Sequence, residues 1–431
     1  MNCHPLPGDA ATPMRRHPKN HCNSPVRAAA APLALALSAA CLTAAMPAHA
    51  QDANAPVPIG MVLSKQGNFA DVGTSGARGA MIAIDEAGGK VLGRPIKLTW
   101  YDDPDPQTAQ QNMSKLIDSE KVVAVVGGTN SASSLGEAAV AKHSKIPTVI
   151  FTGSAKEITG KDCNRYTFRT YYSANIASRA IVAPMMSHGK RWYFLTPNYA
   201  AGADAYAAMK TELLKRGGQE IENDRIPVGS SDYSSVILKI RDAKPDVVAL
   251  SLTGLDTDNF LKQWAQYGMK DKIPLADPFM NDTSLWSLAP ENVTGTYATI
   301  WQYADPQNSE PEKRMVAAYR KKYGSPPSIN VWEGWTSMRV IIDAINAAKS
   351  TEPAAIVHQL ETLKWTDREP AAYYRAWDHQ YIHPLLIVQG HPPKTEKWDV
   401  LSVVQRVPGK GDDIEQLFGD KTEVGCHMDE L

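Results

Sequence analysis

From Pro58 onward the chain alternates short β-branched runs with amphipathic stretches, and this alternation limits the fold more than any other feature of the sequence. Ile59-Gly60-Met61-Val62-Leu63 reads as a buried strand, followed by a loop over 64–74 and a helix over 75–86 that Gly88-Gly89 stops. Strands at 96–101, 122–126 and 148–151 then alternate with helices at 108–119 and 133–143. The pattern starts again with helices at 177–187, 202–216, 234–243 and 256–267, interleaved with strands at 191–195, 220–227, 247–250 and 274–276. Strand, helix, strand in this order builds right-handed crossover units and a parallel sheet covered on both faces. Two such runs predict two similar α/β domains. Helices at 310–323 and 332–349 follow, and 372–379 with 384–389 reads as a terminal hairpin. No Gly/Ser-rich or Pro-rich linker separates the halves, so the chain is expected to cross between them in ordered strands, which suits a hinge better than a tether.

The N-terminus reads as a secretory leader. Arg15, Arg16, Lys19 and Arg27 form a positive flank, 33–46 an apolar run, and Ala48-His49-Ala50 a small-x-small cleavage site, so residues 1–50 are expected to be removed. Met14 is an alternative start. Acylation at Cys41 is a rival reading, although Leu37 stands one place too far from that cysteine, and a retained anchor is another. The whole chain carries 45 Lys+Arg against 46 Asp+Glu in 431 residues, a formal charge of −1 with no basic face, which argues against a nucleic-acid partner. Cys3, Cys22 and Cys41 leave with the leader. Cys163 and Cys426 remain, an even pair in a compartment that oxidises thiols, and are expected to be bridged, two free thiols being the other reading.

Catalytic signatures are missing: no phosphate-binding Gly-rich loop, no H-E-x-x-H, no C-x-x-C, and Gly73-Thr74-Ser75-Gly76 fails the spacing of a nucleophile elbow. No enzyme, cofactor or metal site is expected. His379 and His383 stand four apart but in a strand and turn, and Asp102-Asp103-Pro104-Asp105 reads as a solvated loop. What stands out is a set of small, hydroxyl-rich loops at the carboxyl ends of parallel strands. They are Gly127-Gly128-Thr129-Asn130-Ser131-Ala132-Ser133-Ser134 and Thr152-Gly153-Ser154-Ala155, each opening toward a helix N-terminus that favours an anionic group. Capping of the helices alone would also use these residue types. In the second half, 196–202, 251–254 and 277–282 occupy the corresponding positions, with Tyr199 and Phe279 as aromatic walls, Thr253 as a hydroxyl, and Asp277 or Asp282 as a partner for a ligand cation.

On these residues the chain resembles the periplasmic substrate-binding proteins of branched-chain amino-acid ABC transporters, the Leu/Ile/Val-binding type. Ile59-Gly60-Met61-Val62-Leu63-Ser64, Gly76-Ala77-Arg78-Gly79-Ala80, Tyr101-Asp102-Asp103-Pro104, Val125-Val126-Gly127, Ile146-Pro147 and Tyr166-Thr167-Phe168-Arg169-Thr170 carry the resemblance, over about 58–390. It implies a type I periplasmic binding fold of two Rossmann-like lobes with parallel sheets, joined by a three-strand hinge. The boundaries are then 57–172 plus 304–368 for lobe 1, 173–303 plus 369–405 for lobe 2, and 406–431 for a tail. The resemblance puts a ligand carboxylate on Ser131 and Ser154, with backbone groups near Asn130 and Thr152. It puts an aromatic at Phe69 and second-lobe contacts at Tyr199 and Thr253. The carboxylate for a ligand ammonium falls at Pro278, one residue from Asp277, which leaves amino acids, aromatic or aliphatic carboxylates and small amides open. Trp332, Glu333 and Trp335 introduce a helix like the family's interlobe helix, where core packing is the expected role. The implied role is a periplasmic, monomeric protein that passes a small molecule to an ABC permease; a sensing module of the same fold is the alternative.

Overall fold

The computed structural model describes residues 54–198, 200–252, 255–409 and 411–428, so the expected leader and Cys41 lie outside the described residues. The first sheet contains β1 (Val57–Val62), β2 (Lys90–Val91), β3 (Arg94–Tyr101), β4 (Ala124–Gly127), β5 (Thr148–Ile150) and β6 (Thr167–Arg169). Their order is β2-β3-β1-β4-β5-β6, parallel throughout except for β2 at the edge. Three helices connect these strands: α1 (Ala70–Glu86), α2 (Pro106–Asp118) and α3 (Ser131–Ser144). Helix α1 starts five residues earlier than its hydrophobic pattern. Its first turn packs backbone against backbone: a Cβ on Gly73 would come within 2.2 Å of the Ser64 carbonyl oxygen, so this position of the turn shows no side chain to read.

The second half contributes α4 (Ala174–Met185), β7 (Arg191–Pro197), α5 (Ala200–Lys215), β8 (Gln219–Ile226), α6 (Ser234–Ala243) and β9 (Val247–Leu250). It continues with α7 (Leu255–Gln266), β10 (Leu275–Asp277), α8 (Asp282–Ser287) and β11 (Thr296–Thr299). The chain then returns to the first lobe in α9 (Glu310–Tyr323), α10 (Ile329–Ala348) and α11 (Pro353–Thr362). Helix α10 packs on α1 with almost no space between them. A Cβ on Gly334 would meet the Gly76 carbonyl oxygen at 2.0 Å, and one on Gly79 the Val331 oxygen at 1.9 Å.

The last strands are β12 (Lys364–Trp365), β13 (Ala372–Tyr374), β14 (Tyr381–Ile382), β15 (Leu385–Gly390) and β16 (Leu401–Val407). The expected terminal hairpin does not form. Strand β13 pairs with β12 and β14 in a small antiparallel sheet, while β15 pairs with β11 and β16, giving the second sheet the order β16-β15-β11-β10-β9-β7-β8. The reason is burial: Leu385, Leu386, Ile387 and Val388 are all covered, and only an interior position in a large sheet covers both faces of a strand. The fold is thus two α/β lobes whose sheets are parallel at their centres.

The chain passes between the sheets around 170–173, 300–309 and 383–384. The first and third passages are stitched together. The Arg169 N–H donates to the His379 carbonyl at 3.0 Å, and the Gln380 side-chain amide donates to the Tyr171 carbonyl at 2.8 Å. The tail carries α12 (Ile414–Phe418) and α13 (Lys421–Val424), and Cys426 is bonded to Cys163 in the first lobe, across 263 residues. Arg179 of α4 donates to the Leu417 carbonyl at 3.0 Å and Arg375 to that of Gly419 at 2.9 Å, so the tail touches both lobes beside the passages. Replacing both cysteines by serine is expected to lower the unfolding free energy by about 2–5 kcal/mol in urea melts. Coincident melts would mean that the noncovalent contacts alone hold the tail.

Candidate functional site

The loops after β4 and β5 meet at the carboxyl edge of the first sheet. Asn130 caps α3, its side-chain oxygen accepting from the Ala132 and Ser133 N–H groups at 3.0 and 3.1 Å, so its amide is used in holding the helix end. That leaves Ser131, the first helical residue. Its hydroxyl oxygen accepts from the Ala155 N–H at 3.1 Å and lies 3.5 Å from the Ser154 hydroxyl, so the structure brings these two predicted residues together at the helix's positive end. Beneath them, Ser64 N–H donates to the Thr129 hydroxyl at 2.9 Å and Thr129 N–H to the Asp103 carboxylate at 3.3 Å. The 102–105 run is a loop after β3, as read, with Pro104 and Asp105 exposed, but Asp103 within it is buried. Burial pushes its carboxyl up to about 6.

The second lobe's strands end against this region through a pair of tyrosines. Tyr171 and Tyr172, on the first passage, stack at 4.0 Å, and the Tyr172 hydroxyl donates to the Ala298 carbonyl of β11 at 3.1 Å. Asp277, the last residue of β10, acts electrostatically on both tyrosines. It is 1% exposed; one carboxylate oxygen accepts from the Phe279 N–H at 3.0 Å, and the other has no hydrogen-bond partner. Burial pushes this carboxyl up to about 8, and the Phe279 N–H offsets it only in part.

Asp282, the other expected cation partner, is also buried, and one of its carboxylate oxygens has no hydrogen-bond partner among the described residues. Its carboxylate accepts from the Ile329 N–H at 2.9 Å, at the N-terminus of the 20-residue helix α10, which joins the lobes where a helix end favours negative charge. Burial, with Asp71 adding, pushes it up to about 7. At the rim the Thr283 hydroxyl donates to Asp71 at 2.9 Å, and Phe69, 46% exposed, stands just before α1. Phe279 is half-buried against the core. Tyr199 and Thr253 lie outside the described residues.

One residue of this region was not a candidate from sequence. Glu333 is fully buried on α10; one carboxylate oxygen accepts from the Asn330 amide at 3.0 Å, the other has no hydrogen-bond partner, and the Thr152 side chain lies against it. Burial holds its carboxyl well above the usual range, and Asp282 pushes the same way. The available signal was a charge between two tryptophans in an apolar helix. The tryptophans themselves are core residues: Trp332 donates to Glu312 and Trp335 to Glu86, at 2.7 and 2.8 Å.

Elsewhere, His379 is buried, stacked on Phe168 and bonded through its two nitrogens to the Thr167 carbonyl and Glu361, while His383 is buried beside Tyr381. Among the described residues no cluster of His, Cys, Asp or Glu is placed to hold a metal ion, and no helix is long and apolar enough to cross a membrane. A polar cavity of about 250 Å³ beside the first passage is walled by Lys156, Arg169, Arg179 and Glu423, among others. Its arginines are taken up by protein partners.

The buried acid makes a prediction with a definite sign. The folded pKa of Asp277 exceeds its unfolded one, so the folded state keeps a proton that the unfolded chain releases, and stability is lost as pH rises from 3.8 to about 8. Asp277→Asn removes this contribution. Its melting temperature should rise relative to wild type between pH 5 and 8.5, and a constant difference across that range would show that Asp277 titrates normally.

The comparisons with known proteins agree with this architecture. Residues 56–395 match the periplasmic binding protein family. Leu/Ile/Val-binding protein homolog 8 of Brucella suis is 28% identical over 374 residues, 80% of this chain and 87% of the relative. A periplasmic binding protein from Burkholderia mallei is 27% identical with a TM-score of 0.76, covering 86% of this chain and 98% of that one. A solute-binding protein of an ABC transporter from Rhodopseudomonas palustris, solved with benzoate, shares the fold at 21% identity and a TM-score of 0.70, over 83% of this chain and 100% of that one. With the match extending through both sheets and the passages between them, the chain belongs to the periplasmic binding protein family.

Proposed function

We propose that this chain is the solute-capturing subunit of an ABC importer, working in the periplasm as a monomer after loss of its leader. In this reading it takes a small amino-acid-like solute. The Ser131 and Ser154 hydroxyls hold the carboxylate at the N-terminus of α3, and Asp277 from the opposite lobe receives the amino group. The observation that carries the reading is the placement of the two hydroxyls 3.5 Å apart at a helix's positive end, with a buried, half-partnered carboxyl ending a strand of the other lobe. Thr152 and Asn130 position the serines, and Phe69 completes the rim. Family membership and the Leu/Ile/Val-binding relative support the same class of solute.

No bond in the solute is made or broken. The lobes exchange between open and closed arrangements, and a solute that touches both stabilises closure by the contacts only the closed form has. Passage segments 170–173, 300–309 and 383–384 are the hinge, and the Thr283 contact to Asp71 is part of the closed rim.

The test is a thermal-shift screen of residues 51–431 against amino acids, aromatic acids, diacids and amides, followed by calorimetry. A solute at 100 times its Kd adds about 2.7 kcal/mol to stability. Ser131→Ala and Ser154→Ala are each expected to weaken binding by about 1–3 kcal/mol. Unchanged affinity in both would remove the assignment of the carboxylate pole.

A further inference from the structure

We propose that Glu333 is a second solute-facing carboxyl and that the solute therefore carries a second nitrogen donor, at the end of its side chain: an amide, an amine or a guanidine. The inference rests on the amino-acid-like reading above and adds the side-chain chemistry that reading leaves open.

Three observations carry it. First, Glu333 adjoins the serine loop: the Thr152 side chain lies against its carboxyl, and Thr152 and Ser154 share one short loop. Second, its hydrogen bonding is half complete. Asn330 serves one oxygen, the Thr152 side chain acts on the same carboxyl, and the other oxygen is buried with no partner at hydrogen-bond distance among the described residues. Third, among the described residues no cation balances it. The groups that act on Glu333 from the packed elements are Asn330, Asp282 and Thr152, and those on Asp277 reduce to the Phe279 N–H, so neither carboxyl faces a lysine, arginine or histidine. Both nevertheless act on the stacked pair Tyr171 and Tyr172, Asp277 from the second lobe and Glu333 from α10.

The region thus has two buried carboxyls, Asp277 ending a strand of the second lobe and Glu333 beside the serine loop, and an α-ammonium group held at Asp277 leaves Glu333 to the rest of the solute. A branched aliphatic side chain closing over Glu333 would leave a buried acid oxygen dry, which is strongly unfavourable, and a benzene ring would do the same. A terminal nitrogen group brings two or more donors to that oxygen, and a charged one also neutralises it. The tyrosine rings between the two carboxyls offer flat apolar walls for the methylene stem of such a side chain.

The experiment uses residues 51–431 and five probes: L-glutamine, L-lysine, L-arginine, L-leucine and benzoate, each titrated by calorimetry into wild type, Glu333→Leu and Ser131→Ala. Leucine is close in size to glutamate, and removing an uncompensated buried acid should leave the melting temperature the same or higher, which checks folding. The expected result is that at least one nitrogen-tipped probe binds wild type tenfold or more tighter than leucine and benzoate. Glu333→Leu should then weaken that probe at least tenfold without weakening leucine. Leucine or benzoate binding wild type as tightly as the nitrogen-tipped probes would overturn the inference while leaving carboxylate capture intact, provided Ser131→Ala weakens them. Failure of all three nitrogen-tipped probes to bind would overturn it as well. Equal affinity of every probe for wild type and Ser131→Ala would instead sink the underlying assignment of the serine pole.

Discussion

The Arg169 guanidinium holds together the parts on which the rest of this structure depends. It is wholly buried, yet its donors are all directed: Nε to the Gln380 side chain at 2.8 Å, one terminal nitrogen to the Ala155 carbonyl at 2.6 Å, the other to the Thr159 hydroxyl at 2.6 Å. Burial lowers its pKa to about 10 while Asp378 and Glu157 oppose the loss of its proton, so it stays charged at neutral pH. One side chain therefore ties the first passage to the third and both to the loop that carries Ser154. The Ala155 whose carbonyl it grips is the same residue whose N–H donates to Ser131. The position of the serine pole relative to the passages is fixed by a chain of hydrogen bonds that contains no exposed link, and a buried cation of this kind tolerates no loss of a partner.

Around this cation the crevice is built from acids. Asp103, Glu137, Asp277, Asp282 and Glu333 are all buried, and desolvation moves every one of them upward. Two of them sit below the serine loop, where Asp103 and Glu137 repel one another, so the pair keeps at least one proton at neutral pH. Glu137 fits there only because residue 127 is glycine: a Cβ on Gly127 would lie 2.0 Å from one of its oxygens. The pair thus underlies the loop, whereas Asp277 and Glu333 flank the tyrosines, and the distinction matters for function. An acid that underlies a loop settles its charge with a proton. An acid that faces an opening cleft meets water in one state and a solute in the other, so its protonation is coupled to binding.

The fold was legible because hydrophobic period and strand–helix alternation are local. Strand β9 and helices α6 and α9 fall where the pattern puts them, and Cys163 and Cys426 bond as an even pair should. What escaped depends on nonlocal packing. The short strand β11 is recognisable only beside β10 and β15, and β13 and β15 part company because burial on both faces outweighs their closeness in sequence. At the candidate site, the serine loops stand out as Gly, Ser and Thr runs after strands, residue types that helix capping also uses. Their exact division of labour was not, because Asn130 and Ser131 are adjacent and chemically alike, and only geometry shows that the first caps the helix while the second faces its neighbour loop.

Glu333 illustrates why a period reading conceals a site on a core helix. Val331, Trp332, Trp335 and Met338 are buried, so the first half of helix α10 reads as core, and its closest approach to α1 is at glycines that contribute no side chain. In such a helix a carboxyl can be kept only if something supplies donors. Asn330 supplies one, three residues earlier on the same side of the helix, and the Thr152 side chain acts on the same carboxyl from the neighbouring loop. A helix evolved purely for packing would hold a neutral residue there without cost, since replacing a half-bonded buried acid by an apolar side chain of similar volume is commonly neutral or stabilising. The retention of a costly group, on the wall shared with the hydroxyl loop, is therefore an argument about what enters the crevice.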